Sequence, residues 1–323
     1  MIRVHRLAYC TNVHAGTTLA ETRANLQSYA TKVRESANVE RLGVGLWLSA
    51  NASEELIAND GAAALREYCD NAKLDILTLN GFPYGDFHAK VVKHSVYEPS
   101  WDNPQRLDYT LSLATCLAAL LPETVEEASI STLPLGWRGS VDLDQAAANL
   151  QACATALRQL HEDTGKRIHV DLEPEPGCEI DTSQGLVAFF DTHLTRAEHR
   201  EHIGVCHDIC HSAVMFEPQT AALRIYRENG IALGKIQVSS AVEVDFDNVV
   251  SPEHAENAYA AFAEERYLHQ TVIARDGNTT FHEDLSDAMQ CEERSGVWRT
   301  HFHVPIFSMG TDLWSSTQTE ISR

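Results

Sequence analysis

The chain lacks most of the signals that would place it in a membrane, a secretory pathway or a nucleic-acid complex. Its N-terminus, Met1-Ile2-Arg3-Val4-His5-Arg6, has no apolar core of the roughly 7–15 residues that a signal peptide needs. The longest nearly apolar run, Leu111 to Leu121, is too short to span a bilayer and carries Ser and Thr. Basic residues are scarce. Lys plus Arg number 25 against 46 Asp plus Glu, a formal charge of −21, and no Lys/Arg cluster offsets it. Such a surface repels phosphate backbones and anionic lipid, so neither nucleic acid nor membrane insertion is expected. No Cys-x-x-Cys pair occurs among the eight cysteines. A chain able to build a large core does not need disulfide staples, so reduced, mostly packed thiols in a cytoplasmic protein are expected. GxGxxG, GxxxxGK[ST] and GxSxG are all absent. Dinucleotide binding, P-loop chemistry and an α/β-hydrolase serine thereby lose their usual signatures. A cysteine nucleophile at Cys206 or Cys210 is disfavoured by apolar surroundings, which raise thiol pKa.

What the chain does contain is an alternation of short apolar, β-branched segments with longer segments of helical period. The strands are expected at Arg6–Thr11, Leu42–Leu48, Leu74–Leu79, Ala128–Leu133, Arg167–Leu172, Ile203–His207 and Gly234–Ser239. Helix starts are marked by Thr18 with Glu21, by Ser53 before Glu54-Glu55, by Asn103-Pro104 and by Ser251-Pro252-Glu253. Seven βα units in series, without a linker, predict an α/β fold of the (β/α)8 TIM-barrel kind over residues 1–323 as a single domain. The eighth strand is the weak point. Val297–Pro305 is a candidate, but the connection over 240–300 is unusually long, so that strand is expected to be missing or irregular.

In such barrels the chemistry sits at the C-terminal ends of the strands. Those ends carry Asn12 and His14, Trp47, Asn80 with Tyr84 and His88, Trp137, then Glu173, Asp208 with His211, and Gln237. Glu173 beside Asp208 offers paired carboxylates, which repel unless a cation or a shared proton joins them. Two solvated loop acids are the other reading, and Glu175 is a reserve candidate. Asp208-x-x-His211 presents a hard oxygen and an imidazole from one strand end, a pairing suited to Mn, Zn or Co rather than Ca. His301-Phe302-His303 places two imidazoles on one side of an extended segment. The expected metal ligands are therefore Glu173, Asp208 and His211, with Gln237, His303 and His301 as further donors. Glu173 and His211 are the expected proton-transfer groups. Asn12, His14, Trp47, Asn80, Tyr84, His88 and Trp137 would surround a small-molecule substrate.

The strand-end series, and Gly204-Val205-Cys206-His207-Asp208-Ile209-Cys210-His211 above all, resembles the xylose isomerase-like TIM-barrel superfamily. That group holds sugar isomerases and epimerases together with the endonuclease IV-type zinc nucleases. Within it, Tyr9–His14, Leu79–Gly85, Ser131–Trp137, Leu172–Gly177 and His301–Pro305 look like the EboE type of metabolite traffic protein. The resemblance implies a divalent metal held by Glu173 and Asp208, with His211 as ligand or substrate contact. It implies a metal-dependent isomerase or epimerase acting on a small polyhydroxylated or carbonyl metabolite. The alternatives are a non-catalytic metabolite-binding protein of an Ebo-type export pathway, with pathway partner proteins, and, less favoured by charge, a zinc phosphodiesterase. The chain departs from the epimerases in having Gln237 where they carry a His, and in lacking a final-strand Glu before Arg323.

Overall fold

A computed structural model describes residues 7–322. Seven parallel strands form one sheet in sequence order: β1 (Ala8–Cys10), β2 (Leu42–Trp47), β3 (Leu74–Asn80), β4 (Glu127–Thr132), β5 (Arg167–Leu172), β6 (Ile203–Asp208) and β7 (Leu233–Gln237). All seven expected strands are present, and β5 has the expected bounds. Arg6, expected to open the first strand, lies outside the described residues. Continuous apolar runs make buried strands here because helices cover the sheet's outer face. Leu113, Leu117 and Leu120 of the Pro104–Leu120 helix share one apolar cluster with Ile76, Leu79 and Ile130 of the strands.

The helix starts follow side-chain capping chemistry. Thr18 and Glu21 form the reciprocal capping box, and Asn103 caps a helix whose first residue is Pro104. The expected start at Ser53 is displaced. Ser49 caps the Ala50–Ile57 helix, and Ser53 lies inside it with its hydroxyl on Ala50 O. A serine within a helix can satisfy itself on a preceding carbonyl, so it mimics a cap in sequence.

The sheet curls into most of a barrel but does not close. Lys235 on β7 reaches Leu79 O on β3 and Ser131 Oγ on β4, yet no pairing joins β7 to β1 among the described residues. Val297–Pro305 is not an eighth barrel strand. Val297–Thr300 is instead the central strand of a second, antiparallel sheet ordered β10-β9-β11-β8-β12. Its members are β8 (Val242–Asp245), β9 (Thr271–Arg275), β10 (Asn278–His282), β11 (Val297–Thr300) and β12 (Ser315–Ser316). Val297, Arg299 and their neighbours pair on both sides with β8 and β9, which consumes the backbone groups that barrel closure would need. Val244, Phe246, Tyr259, Ile273 and Trp298 give this sheet its own apolar cluster.

The barrel lumen is hollow. A cavity of about 1890 Å³ runs from Glu127 and Arg167 at one end of the strands to Asn80, Asp208 and His301 at the other. TIM-barrel interiors are ordinarily packed with branched apolar side chains. Here β5 turns Arg167, His169, Asp171 and Glu173 toward the cavity, and glycines opposite make the space. A Cβ on Gly234 would collide with both Asp171 carboxylate oxygens and the His169 ring. Asp171 is fully buried and bonded to Ser129 Oγ and His169 Nδ1, so it cannot retreat without breaking those bonds. Gly234→Ala is therefore expected to destabilise the protein by about 1–3 kcal/mol, as overpacking does. The check is a lowered denaturation midpoint at unchanged m.

Candidate metal centre

The site assembles where β5 and β6 end and where the run-out of β11 crosses the barrel mouth. After β6, Asp208 caps the short Ile209–Val214 helix, accepting from the backbone N–H of Cys210 and His211 and from Ser239 Oγ at 2.6 Å. That cap fixes His211 one turn on, facing the mouth. After β11, His301 N–H bonds Gln270 O at 2.8 Å and Val304 N–H bonds Ser240 O at 3.0 Å, so the segment is pinned at both ends in extended form. Phe302 packs on His269 and Phe262, while His301 and His303, on the opposite side, face His211.

The hydrogen-bond wiring sets the tautomers. His211 Nδ1 donates to Pro174 O at 2.9 Å. Gln270 Nε2 donates to Tyr97 Oη at 2.8 Å and to Glu175 Oε1 at 3.2 Å, which orients its amide oxygen toward His301 Nδ1 at 2.9 Å. Both rings therefore carry their proton on Nδ1 and leave Nε2 bare when neutral. The bare His211 Nε2 and His301 Nε2 stand 3.1 Å apart, and His303 Nε2 lies 3.1 Å from His301 Nε2. Bonds of 2.0–2.1 Å to a tetrahedral zinc would place ligand nitrogens about 3.3 Å apart. The spacing fits. Donor atoms of Asp208, His211 and His303 all lie within 4.8 Å of one another, and so do those of Cys210, His301 and His303.

Electrostatics agree with a site built for positive charge. Burial pushes Glu173 up to about 7, reinforced by Asp208 and Glu175 and opposed by His211 and Lys235. Burial also raises Glu175, against His211, Tyr97 and Gln270. Asp208 is pushed up by burial but ends below its ordinary value through His211, His303 and its hydrogen bonds. Burial lowers His211, yet three surrounding carboxylates leave it raised, while His301 is held well down by burial and its imidazole neighbours. Glu173 Oε2 is buried with no hydrogen-bond partner, and its other oxygen accepts from Gln237 Nε2.

Gln237 is a hydrogen-bond partner of the Glu173 carboxylate through its amide nitrogen. Glu173 itself stands 3.9 Å from His211 Nδ1, beside the ring's bonded edge. Asn12, Asn80 and His88 line the cavity, and His88 Nδ1 is buried without a partner. Four expected substrate contacts do not line it. His14 is held by Tyr9 Oη at 2.7 Å and stacked on Tyr29, Trp47 is buried with its indole N–H on Pro83 O, Tyr84 packs edge-on against Tyr109, and Trp137 packs on Tyr97 and His94. Sequence reasoning missed Gln270, Tyr97 and Lys235, none of which sits in a strand-end motif. His207 bonds Gln219 Oε1 in the interior. All eight cysteines are free, and no helix among the described residues is long and apolar enough to cross a membrane.

No family model matches the sequence, and no curated protein is significantly similar to it. Solved structures are. A xylose isomerase-like TIM-barrel protein from Mycobacterium smegmatis in complex with magnesium aligns with a TM-score of 0.51 at 12% identity, over 75% of this chain and 77% of that one. The fold is that of the xylose isomerase-like TIM barrels. The 3-keto-D-glucoside 4-epimerase YcjR from E. coli aligns at 0.43 and 14% identity, over 71% and 76% of the two chains. The D-allulose 3-epimerase from Methylomonas aligns at 0.45 and 12%, over 81% and 85%.

Two predictions follow from the wiring. Gln270→Leu frees the His301 ring to change tautomer and is expected to weaken zinc binding about 10–100-fold, read by competition with a chelating dye. Glu173 binds its proton more tightly folded than unfolded, so metal-free stability falls as pH rises from the ordinary Glu range through about 7. Glu173→Gln is expected to flatten that slope and to stabilise the metal-free protein at pH 8 by on the order of 1–3 kcal/mol, measured by denaturant titration across pH.

Proposed function

We propose that the protein is a metal-dependent isomerase or epimerase acting on a small polyhydroxylated or carbonyl metabolite. The observation that carries this reading is a row of three imidazoles, His211, His301 and His303, whose successive Nε2 atoms stand 3.1 Å apart, beside the Glu173 carboxyl that burial pushes up to about 7. Asp208, His211 and His303 would hold the ion, with His301 Nε2 3.1 Å from both imidazoles. A bound divalent cation supplies Lewis-acid polarisation of a substrate carbonyl. The remaining chemistry belongs to the chain. Glu173 has an unpartnered oxygen, Oε2, to accept a proton from carbon, and Gln237 steadies Oε1 during the transfer. A carboxyl balanced near pH 7 can both take and return that proton. Asn80 and His88 offer polar contacts on the cavity wall, and the cavity exceeds the roughly 300–1,000 Å³ of a usual ligand pocket, leaving room for a sugar-sized molecule and its water. The acidic surface favours a neutral or cationic metabolite over a nucleic acid.

Turnover of a panel of ketoses and hydroxy-carbonyl compounds in D2O tests the proposal. Solvent deuterium is expected at the carbon beside the carbonyl. Chelation should abolish the exchange, and His211→Ala should lower kcat/KM by at least about 100-fold. Metal-loaded protein that incorporates no deuterium from any member of the panel would overturn the reading.

A further inference from the structure

We propose that Cys210 ligates the ion through its thiolate beside His301 and His303, which makes this a centre for a thiophilic divalent ion of the zinc class and not for magnesium or manganese. The inference rests on the metal reading above and deepens it by naming the ion's class. Cys210 lies between Asp208 and His211 in the first turn after β6 and is fully buried. Its Sγ and the ring nitrogens of His301 and His303 all lie within 4.8 Å of one another. Asp208, His211 and His303 form a second such group, so the two sets share His303.

The Cys210 backbone is held twice, by Asp208 Oδ1 at 2.8 Å and Ser239 Oγ at 2.9 Å, which fixes where the side chain starts. Val214, Ala241 and Val272 pack around the residue and offer no donor that would compete with the imidazoles for the thiol. His301 also presents a bare Nε2, fixed by the bond from its Nδ1–H to Gln270 Oε1, at 3.1 Å from His303 Nε2. In a tetrahedron of mixed donors with zinc–sulfur bonds near 2.3 Å and zinc–nitrogen bonds near 2.05 Å, sulfur and nitrogen stand about 3.5 Å apart. Imidazoles with a thiolate favour zinc and cobalt, whereas magnesium takes oxygen and keeps its water. As the sulfur–metal bond forms, the S–H proton passes to the buffer, and no redox change occurs.

Cobalt loading reads the sulfur directly. The metal-free full chain titrated with Co2+ is expected to show visible d–d bands together with an intense near-ultraviolet thiolate-to-cobalt charge-transfer band. Cys210→Ser should lose the charge-transfer band, keep the d–d bands and bind cobalt at least tenfold more weakly. X-ray absorption of the zinc-loaded wild type needs no variant and should contain one sulfur scatterer at about 2.3 Å. Cobalt bound without the charge-transfer band, a band that survives in Cys210→Ser, or a zinc shell free of sulfur overturns the inference and leaves the histidine centre standing. Failure to take up any cobalt overturns both readings.

Discussion

Two hydrogen-bonded tautomers govern this site. Once Pro174 O and the Gln270 amide oxygen each take an Nδ1–H, His211 and His301 must meet through electron pairs and not through a hydrogen bond. Facing lone pairs repel, and water is too large to slip between nitrogens 3.1 Å apart. Either one ring becomes cationic or a cation enters. The surrounding carboxylates serve both outcomes, since Asp208, Glu175 and Glu173 all raise His211 and together favour any positive charge placed among them. A proton and the proposed metal ion would compete for the same lone pairs.

The unclosed barrel explains why the imidazoles come from so far along the chain. A complete barrel supplies donors from its last strands, but here β7 ends in Gln237 and the next strand, β8, leaves the barrel for an antiparallel sheet. That sheet's central strand delivers His301 and His303 back across the mouth. Phe302 anchors the delivery because it packs with Phe262 and His269 on the far side. Period-2 alternation then does the rest: one residue anchors while its two neighbours reach the site.

How much of this was legible depends on how local each feature is. Buried parallel strands show as apolar runs, so β5 and its successor Glu173 could be located from composition alone. Asp208-x-x-His211 was legible because a cap and the residue three further on share a helical turn. His301-Phe302-His303 was legible as a pair, but its strand was assigned to the wrong sheet, since a four-residue apolar segment says nothing about its partners. Gln270 carried no signal. It lies 31 residues before His301, and an isolated amide at the start of a strand looks like any other polar residue. The aromatics misled for the opposite reason. Trp47 ends a strand and Tyr84 and Trp137 follow strands, yet a ring can turn into the wall as readily as into the mouth, and the neighbouring Pro83 carbonyl, Tyr109 and Tyr97 offered better packing. Gln237 sat at the right strand end but donates its amide to Glu173.

The hollow lumen connects these points. Filling it with branched side chains would add apolar burial, at about 25 cal/mol per Å², and a barrel under selection for stability alone would do so. Instead β5 sends an unbroken inward series of Arg167, His169, Asp171 and Glu173 past glycines on β6 and β7. Each charge must be paired to be tolerated, and the lower ones are: Arg167 with Glu127, and His169 with Asp171, which Ser129 also holds. Glu173, last in the series, keeps one oxygen unpartnered. That single unsatisfied atom, at the top of a column whose other members are satisfied, is where the fold has left free energy available to a ligand, and it stands beside the converging imidazoles.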